Sequence, residues 1–372
     1  MFKLKSSFAI YSLAGIILSI YILLAINQRH DLGGILLMLF FLTLAVAFRN
    51  HTFLKTITFT VIIFAVVSMA LYYPQYFLEW GGYKLSGLIV PLIQIIMFGM
   101  GTSMSLADFA AVVKTPKGVI IGVLSQFIIM PVLGYTLATL SNFPPEIAAG
   151  IVLIGCSPSG LASNVMSYLA KANLALSLTI TAITTLIAPF VTPILMKQLA
   201  GALVEIEVYK MMWDIFKMII IPIGAGLVFN KVLSGKSKWL DDAMPLVSMT
   251  AIAIILVIIT AAGQENLLKI GPALVGLVLI HNLFGYTLGY WSGRLFKLPE
   301  SDCRTIALEV GMQNGGLASG IAKEMGKIAT LGLAAAVFGP VMNITGSILA
   351  SWWHSRLPET IEKELVETAY IK

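Results

Sequence analysis

The chain has 372 residues, of which 58% are hydrophobic and 11% charged, with a formal net charge of +6; its mean hydropathy is +0.92. A soluble domain carries roughly 25% charged residues, so this composition excludes a soluble enzyme, a nucleic-acid binder and a disulfide scaffold, and it defines an integral membrane protein. The basic balance is read as loop bias across a bilayer rather than as a surface for an anionic partner. Apolar segments close to the ~20 residues a helix needs to cross a membrane recur near 8–26, 33–48, 56–73, 86–103, 118–140, 147–169, 173–199, 211–230, 245–263, 270–292, 304–325 and 328–353. No alternation of barrel strands accompanies them, so the fold class is an all-α polytopic membrane protein. The basic start before the first span resembles a secretory signal, but its apolar run is long and no small-x-small site follows Leu24, so a retained helix is predicted.

With the N-terminus inside, sixteen of the 24 Lys and Arg fall on the cytoplasmic side and eight on the other. Both termini are therefore predicted to be cytoplasmic, in the inner (cytoplasmic) membrane of the cell. Arg304 is counted at the cytoplasmic edge, and no buried Arg is expected in the core spans. Residues 354–372 form a predicted cytoplasmic tail, a short surface helix or frayed end.

Polar groups at membrane depth are costly and mark function. The run Gly155 to Asn164 combines Pro158, two glycines and five polar side chains, which predicts a broken helix lining a cavity, with a simple proline kink as the alternative. On the next span Asn173, Ser177, Thr181 and Thr185 recur every four residues and share one helix face. In 304–325, Glu309 is the carboxylate placed well inside a span, followed by Gly311, Gln313, Asn314, Gly315 and Gly316. Gln126, the pair His281-Asn282 and Asn343 are polar residues that helix–helix hydrogen bonding alone can explain.

These groups supply oxygen ligands, suited to a hard cation. No G-x-x-x-x-G-K-[ST] loop occurs, and the four histidines form no nucleophile–base set, so a secondary transporter is favoured over an enzyme. The two break candidates occupy matching places in five-helix blocks, 56–199 (break in 147–169) and 211–353 (break in 304–325). Five is odd, so the blocks would be inverted repeats, and interrupted helices at matching places point to a mid-membrane transport site. Residues 1–50 add two extra N-terminal transmembrane helices before these blocks.

The stretches Met97-Phe98-Gly99-Met100-Gly101, Gly160-Leu161-Ala162-Ser163-Asn164-Val165-Met166 and Glu309-Val310-Gly311-Met312-Gln313-Asn314 resemble the bile acid:sodium symporter family, particularly its bacterial members. The resemblance implies a ten-helix inverted-repeat (5+5) transporter unit with core and panel domains and two broken crossing helices. It implies two sodium ions as coupling ions. One would use Ser163, Asn164, Ser177, Thr181 and Glu309; the other would use Gln126, Glu309, Gln313 and the backbone carbonyls of Val310 and Met312. Asn314 and Asn343 are implied to face substrate. A His present just before Asn343 in some relatives is Met342 here, which puts a bile-acid-like contact in doubt. Ser159, Thr115 and Pro116 are expected near the cavity without individual roles.

The expected activity is sodium-coupled symport of a small organic anion, bile-acid-like, pantoate-like or a keto acid, by alternating access in a lipid bilayer. Two sodium ions sharing Glu309 would leave the site at net +1, matched to a monoanion. The alternatives are a proton-coupled organic-anion transporter and a transporter-derived ligand sensor. The protein is expected to be a monomer or weak oligomer, with no nucleic-acid partner.

Overall fold

The structure, a computed structural model, describes residues 2–27, 32–49, 51, 54–103, 116–233 and 238–356. Among these the helices are α1 (Phe2–Ile26), α2 (Gly33–Arg49), α3 (Thr58–Tyr72), α4 (Ile89–Ser103), α5 (Pro116–Leu140), α6 (Pro145–Gly155), α7 (Ala162–Leu169), α8 (Leu174–Ala200), α9 (Val208–Leu233), α10 (Lys238–Ala262), α11 (Gln264–Leu295), α12 (Glu300–Gly311), α13 (Gly315–Glu324) and α14 (Leu333–His354). Eight segments are long and apolar enough to cross a membrane, one of them reaching from Leu85 through α4, and α2 and α3 are shorter apolar helices. The protein is an all-helical polytopic membrane protein. Thr115 and most of the expected tail lie outside the described residues.

Two expected spans are split: 147–169 into α6 and α7, and 304–325 into α12 and α13. Proline alone does not make such a break, because Pro131, Pro189, Pro193, Pro222, Pro245, Pro272 and Pro340 all sit inside continuous helices. Neighbouring helices re-satisfy the backbone groups that a proline frees. The final span begins later than 328, because Gly326 (φ 69) ends α13 in a left-handed turn and residues 327–332 continue through turns before Leu333. A two-residue hairpin, β1 (Glu79–Trp80) with β2 (Tyr83–Lys84), joins α3 to α4. Gly81 and Gly82 supply its left-handed turn, and Trp80 and Tyr83 are exposed there.

Helices α3, α4, α9 and α10 pack together, while α5, α6, α8, α11, α12 and α14 gather around the two breaks; α13 touches both groups, and α9 also packs along α8. Where α4 meets α9, a Cβ at Gly101 would stand 2.3 Å from the Ile223 carbonyl oxygen, and one at Gly226 2.3 Å from that of Phe98. Both glycines are needed for backbones this close. The extra pair α1 and α2 packs along α3, with Tyr21 Oη 2.9 Å from Tyr72 Oη. Cys156 and Cys303 are buried free thiols.

The half-helices are tied at their outer ends. Glu146, at the start of α6, pairs with Lys327 beyond α13 and accepts a hydrogen bond from Thr330 Oγ1 at 2.6 Å. At the opposite end Arg304 of α12 corrects the expectation that no Arg is buried: it is 4% exposed, enclosed by helix ends. Its Nε donates to Glu300 Oε1 at 3.0 Å. Its Nη1 lies 3.4 Å from the Ala170 carbonyl beyond α7, 3.3 Å from that of Trp353 and 2.9 Å from that of Arg356. Helix C-termini leave carbonyls without intrahelical partners, and a planar fork of donors serves several of them at once. The guanidinium also lies 5.7 Å from the Trp353 ring centroid. Sequence depth alone missed this because the side chain is buried by the ends of α7 and α14, which are distant in the chain.

Arg304→Met is expected to destabilise the protein by about 1–3 kcal/mol, the range for leaving buried carbonyls without their donor. Arg304→Lys should recover only part of that, since an ammonium lacks the fork. Thermal unfolding in detergent reads both, and a Met variant as stable as wild type would contradict the clamp.

Candidate functional site: two crossing breaks around a buried carboxylate

The first break runs from Cys156 to Leu161. Pro158 has no backbone donor and disfavours helical geometry at Ser157. The second break, Met312 to Asn314, has Met312 extended (φ −109, ψ 110); Asn314 Oδ1 then caps α13 by accepting from Leu317 N at 3.0 Å. The breaks meet. Ser159 and Gln313 form an antiparallel bridge, Gly160 N donates to the Met312 carbonyl at 2.8 Å, and Asn314 N donates to the Pro158 carbonyl at 2.9 Å. Backbone groups freed at membrane depth must be paired within the protein, and here each break pairs with the other. A Cβ on Gly160 would stand 2.6 Å from the Gln313 carbonyl oxygen, so only glycine permits this approach.

Glu309, two residues before the end of α12, is fully buried. Ser163 Oγ and Ser177 Oγ each lie 2.6 Å from its Oε1, and Thr181 Oγ1 lies 2.8 Å from its Oε2. Asn164 Oδ1 stands 2.9 Å from Ser177 Oγ and 3.3 Å from Thr181 Oγ1. A hydroxyl has one proton to donate. Ser177 faces two acceptors with that one proton, and so does Thr181; Ser163 likewise also has the Gly160 carbonyl at 2.7 Å. The cluster therefore holds more oxygens than protons, the donor set of a hard cation. Beside it, Gln126 and Gln313 are fully buried. Gln126 Nε2 donates to the Ser157 carbonyl and to Gln313 Oε1, both at 2.8 Å, while Gln313 Nε2 donates to the Val310 carbonyl at 2.7 Å.

The structure thus gathers Ser163, Asn164, Ser177, Thr181 and Glu309 in one cluster, and Gln126, Val310 and Gln313 in a second. The Met312 carbonyl is engaged by Gly160 at the crossing. The stripe on α8 divides. Ser177 and Thr181 reach Glu309, but Asn173 caps α8 and donates to Asp302 Oδ1 at 2.9 Å, and Thr185 Oγ1 is buried without a hydrogen-bond partner. The Oγ of Ser159 is buried as well, close to the Glu309 carboxyl. Asn343, half-buried on α14, takes no part in the hydrogen bonds of either cluster. Sequence reasoning missed Ser167, whose Oγ lies 3.1 Å from Ser177 Oγ; its place ten residues before Ser177, across a turn, gives no periodic signal.

A polytopic helical protein whose two broken helices cross beside a buried carboxylate belongs to the secondary-transporter class. Residues 90–270 match the model of the Sodium Bile acid symporter family. The chain is 37% identical over 308 residues to the uncharacterized sodium-dependent transporter YocS of Bacillus subtilis (strain 168), covering 83% of this chain and 94% of that protein. It is 32% identical over 306 residues to the probable chloroplastic sodium/metabolite cotransporter BASS1 of Oryza sativa subsp. japonica, covering 81% of this chain and 73% of the relative. The corresponding BASS1 of Arabidopsis thaliana is 30% identical over 270 residues, 73% of this chain and 67% of its own length. The chain belongs to the Sodium Bile acid symporter family.

Gly160→Val is expected to push the two breaks apart and cost about 1–3 kcal/mol, the usual penalty for overpacking. Gly276→Ala on α11, where a Cβ would meet nothing within 4 Å, is the control and should not lower thermal stability. Equal stability of the Val variant and wild type would contradict the crossing.

Proposed function

We propose that this protein is a sodium-coupled symporter that moves a small organic anion across the cell's inner membrane by alternating access. The excess of oxygens over protons around Glu309 carries the reading. An ionised carboxylate at membrane depth costs about 2.5–3.5 kcal/mol or more, and a bound cation offsets that cost. One sodium ion is held by Ser163, Asn164, Ser177, Thr181 and Glu309. A second is held by Gln126, Glu309, Gln313 and the carbonyls of Val310 and Met312, with the two glutamine amides turning their oxygens inward. The names of the relatives, sodium-dependent transporter and sodium/metabolite cotransporter, agree with sodium as the coupling ion.

Two sodium ions on one carboxylate leave net +1, which favours a monoanionic substrate. Arg304, though buried, is spent on Glu300 and helix ends and is not counted as a substrate charge. Asn314 and Asn343 are assigned to the substrate face: Asn314 keeps its amide donor free of the capping bond, which uses only Oδ1. The cross-wise end ties, α6 to α13 and α12 to α7, support two inverted five-helix repeats, 56–199 and 211–353. The packing groups support α3, α4, α9 and α10 as the panel and the remaining helices of the ten-helix unit as the core. Both termini are placed on the cytoplasmic side by the distribution of Lys and Arg.

Uptake into proteoliposomes, with a monoanion chosen by thermal-shift screening of organic acids, tests the reading. An inward sodium gradient should drive accumulation, and Glu309→Ala should reduce it to background while the protein still folds. Uptake that follows a proton gradient and ignores sodium would overturn sodium coupling, and binding without accumulation would overturn transport. Two sodium ions per monoanion also require net inward positive current.

A further inference from the structure

A second buried polar chain lies behind the end of α12, where the second break begins, and belongs to neither oxygen cluster. Asn282 of α11 is fully buried, and its Nδ2 donates to the Gly311 carbonyl at 2.8 Å. Its Oδ1 accepts from Thr345 Oγ1 of α14 at 2.6 Å. Tyr286, 5% exposed, donates to the Met342 carbonyl at 3.2 Å and stands 3.3 Å from Thr345 Oγ1.

We propose that Asn282 and Thr345 are positioning residues that tie the cation-facing backbone of the second break to helix α14, the helix that carries Asn343. The inference rests on the sodium-symport reading above and adds to it a physical link between the ion site and the substrate helix. Gly311 sits between Val310 and Met312 as the last residue of α12, where a carbonyl has no partner within the helix. Asn282 takes that carbonyl and so holds the peptide joining the helix end to the extended Met312, whose own carbonyl meets Gly160 N at 2.8 Å. Asn282 thus positions the backbone that carries the carbonyls assigned to sodium without touching the ion.

Thr345 gives the link two states. Its one proton has Asn282 Oδ1 at 2.6 Å and the Val341 carbonyl, one turn back on its own helix, at 2.9 Å. A displacement of α14 moves the proton from Asn282 to Val341, where back-bonding within the helix still satisfies the hydroxyl. The buried Asn282 oxygen then loses a partner, and the amide holds the Gly311 carbonyl less firmly. A two-state element biased by both sites is the requirement for coupling between them.

The test uses purified full-length protein, sodium chloride against potassium chloride at constant ionic strength, and the half-saturation of sodium-specific thermal stabilisation. Asn282→Leu and Thr345→Val should each raise the sodium half-saturation about tenfold, the lower range for groups that orient a metal ligand. Thr345→Ser should restore the wild-type value. The double variant should respond like Asn282→Leu alone, because both act through one link. A merely structural role would lower the melting temperature in potassium without moving the sodium half-saturation, and that result overturns the proposal. So does a Ser variant that fails to recover. If Asn282→Leu does not fold, the two Thr345 variants decide the matter. A wild-type protein that sodium stabilises no more than potassium overturns the symport reading and the link with it. A sodium response that is intact in wild type and in Thr345→Val overturns only the link.

Discussion

The structure depends on the exchange of backbone hydrogen bonds between two unwound segments. A helix interrupted at membrane depth leaves amides and carbonyls with no water to pair them, and each such group costs several kcal/mol in hydrocarbon. Neither break is tolerable alone. Gly160 with Met312, and Asn314 with Pro158, make the pair tolerable by letting two short stretches of different helices act as a minimal antiparallel ladder. Everything chemical in the protein hangs from that crossing: it puts α7 and α12 side by side, and so brings Ser163 of one to Glu309 of the other.

The electrostatic consequence follows from counting protons. Hydroxyls are good partners for a carboxylate, and three of them surround Glu309, yet each also has a second acceptor within reach. A site meant only to stabilise a buried glutamate would add donors, such as amides or a guanidinium. Arg304 shows that the chain can bury a guanidinium where it needs one, five residues before Glu309 and on the same half-helix. Instead the hydroxyls around Glu309 share their protons with further acceptors, the arrangement on which the proposed cation site rests.

The breaks were legible because proline, glycine and polar residues coincide there within a few positions, against a background in which isolated prolines pass through helices intact. Glu309 was legible for its rarity, and Ser177 and Thr181 for their four-residue spacing. The same spacing misjudged Asn173 and Thr185. A helix face extends beyond the segment it packs against, so a stripe has ends that the period does not mark. The burial of Arg304 was illegible for a related reason: its depth is decided by where the ends of α7 and α14 come to rest, a matter of tertiary structure. Asn282 looked like any single amide in a helix, since nothing local distinguishes an amide that bonds the side of a neighbouring helix from one that bonds the end of a broken one.

The end ties complete the logic of the crossing. Glu146 and Lys327 join the outer end of α6 to that of α13, and Arg304 joins α12 to the end of α7. Each broken helix is therefore held by the other at its middle and at both ends, and the four half-helices form one mechanical unit. Separating them in a transport cycle would expose paired backbone groups and strand a buried guanidinium, both far costlier than sliding one apolar surface over another. The softer boundary is where α13 meets the helices of the other group. There Gly320 faces Ile93 of α4 and Met218 of α9, contacts made by flexible side-chain ends. Constraint at the crossing and freedom at this seam go together: the proposed ion site would keep its geometry while changing the side to which it opens if the surrounding helices did the moving.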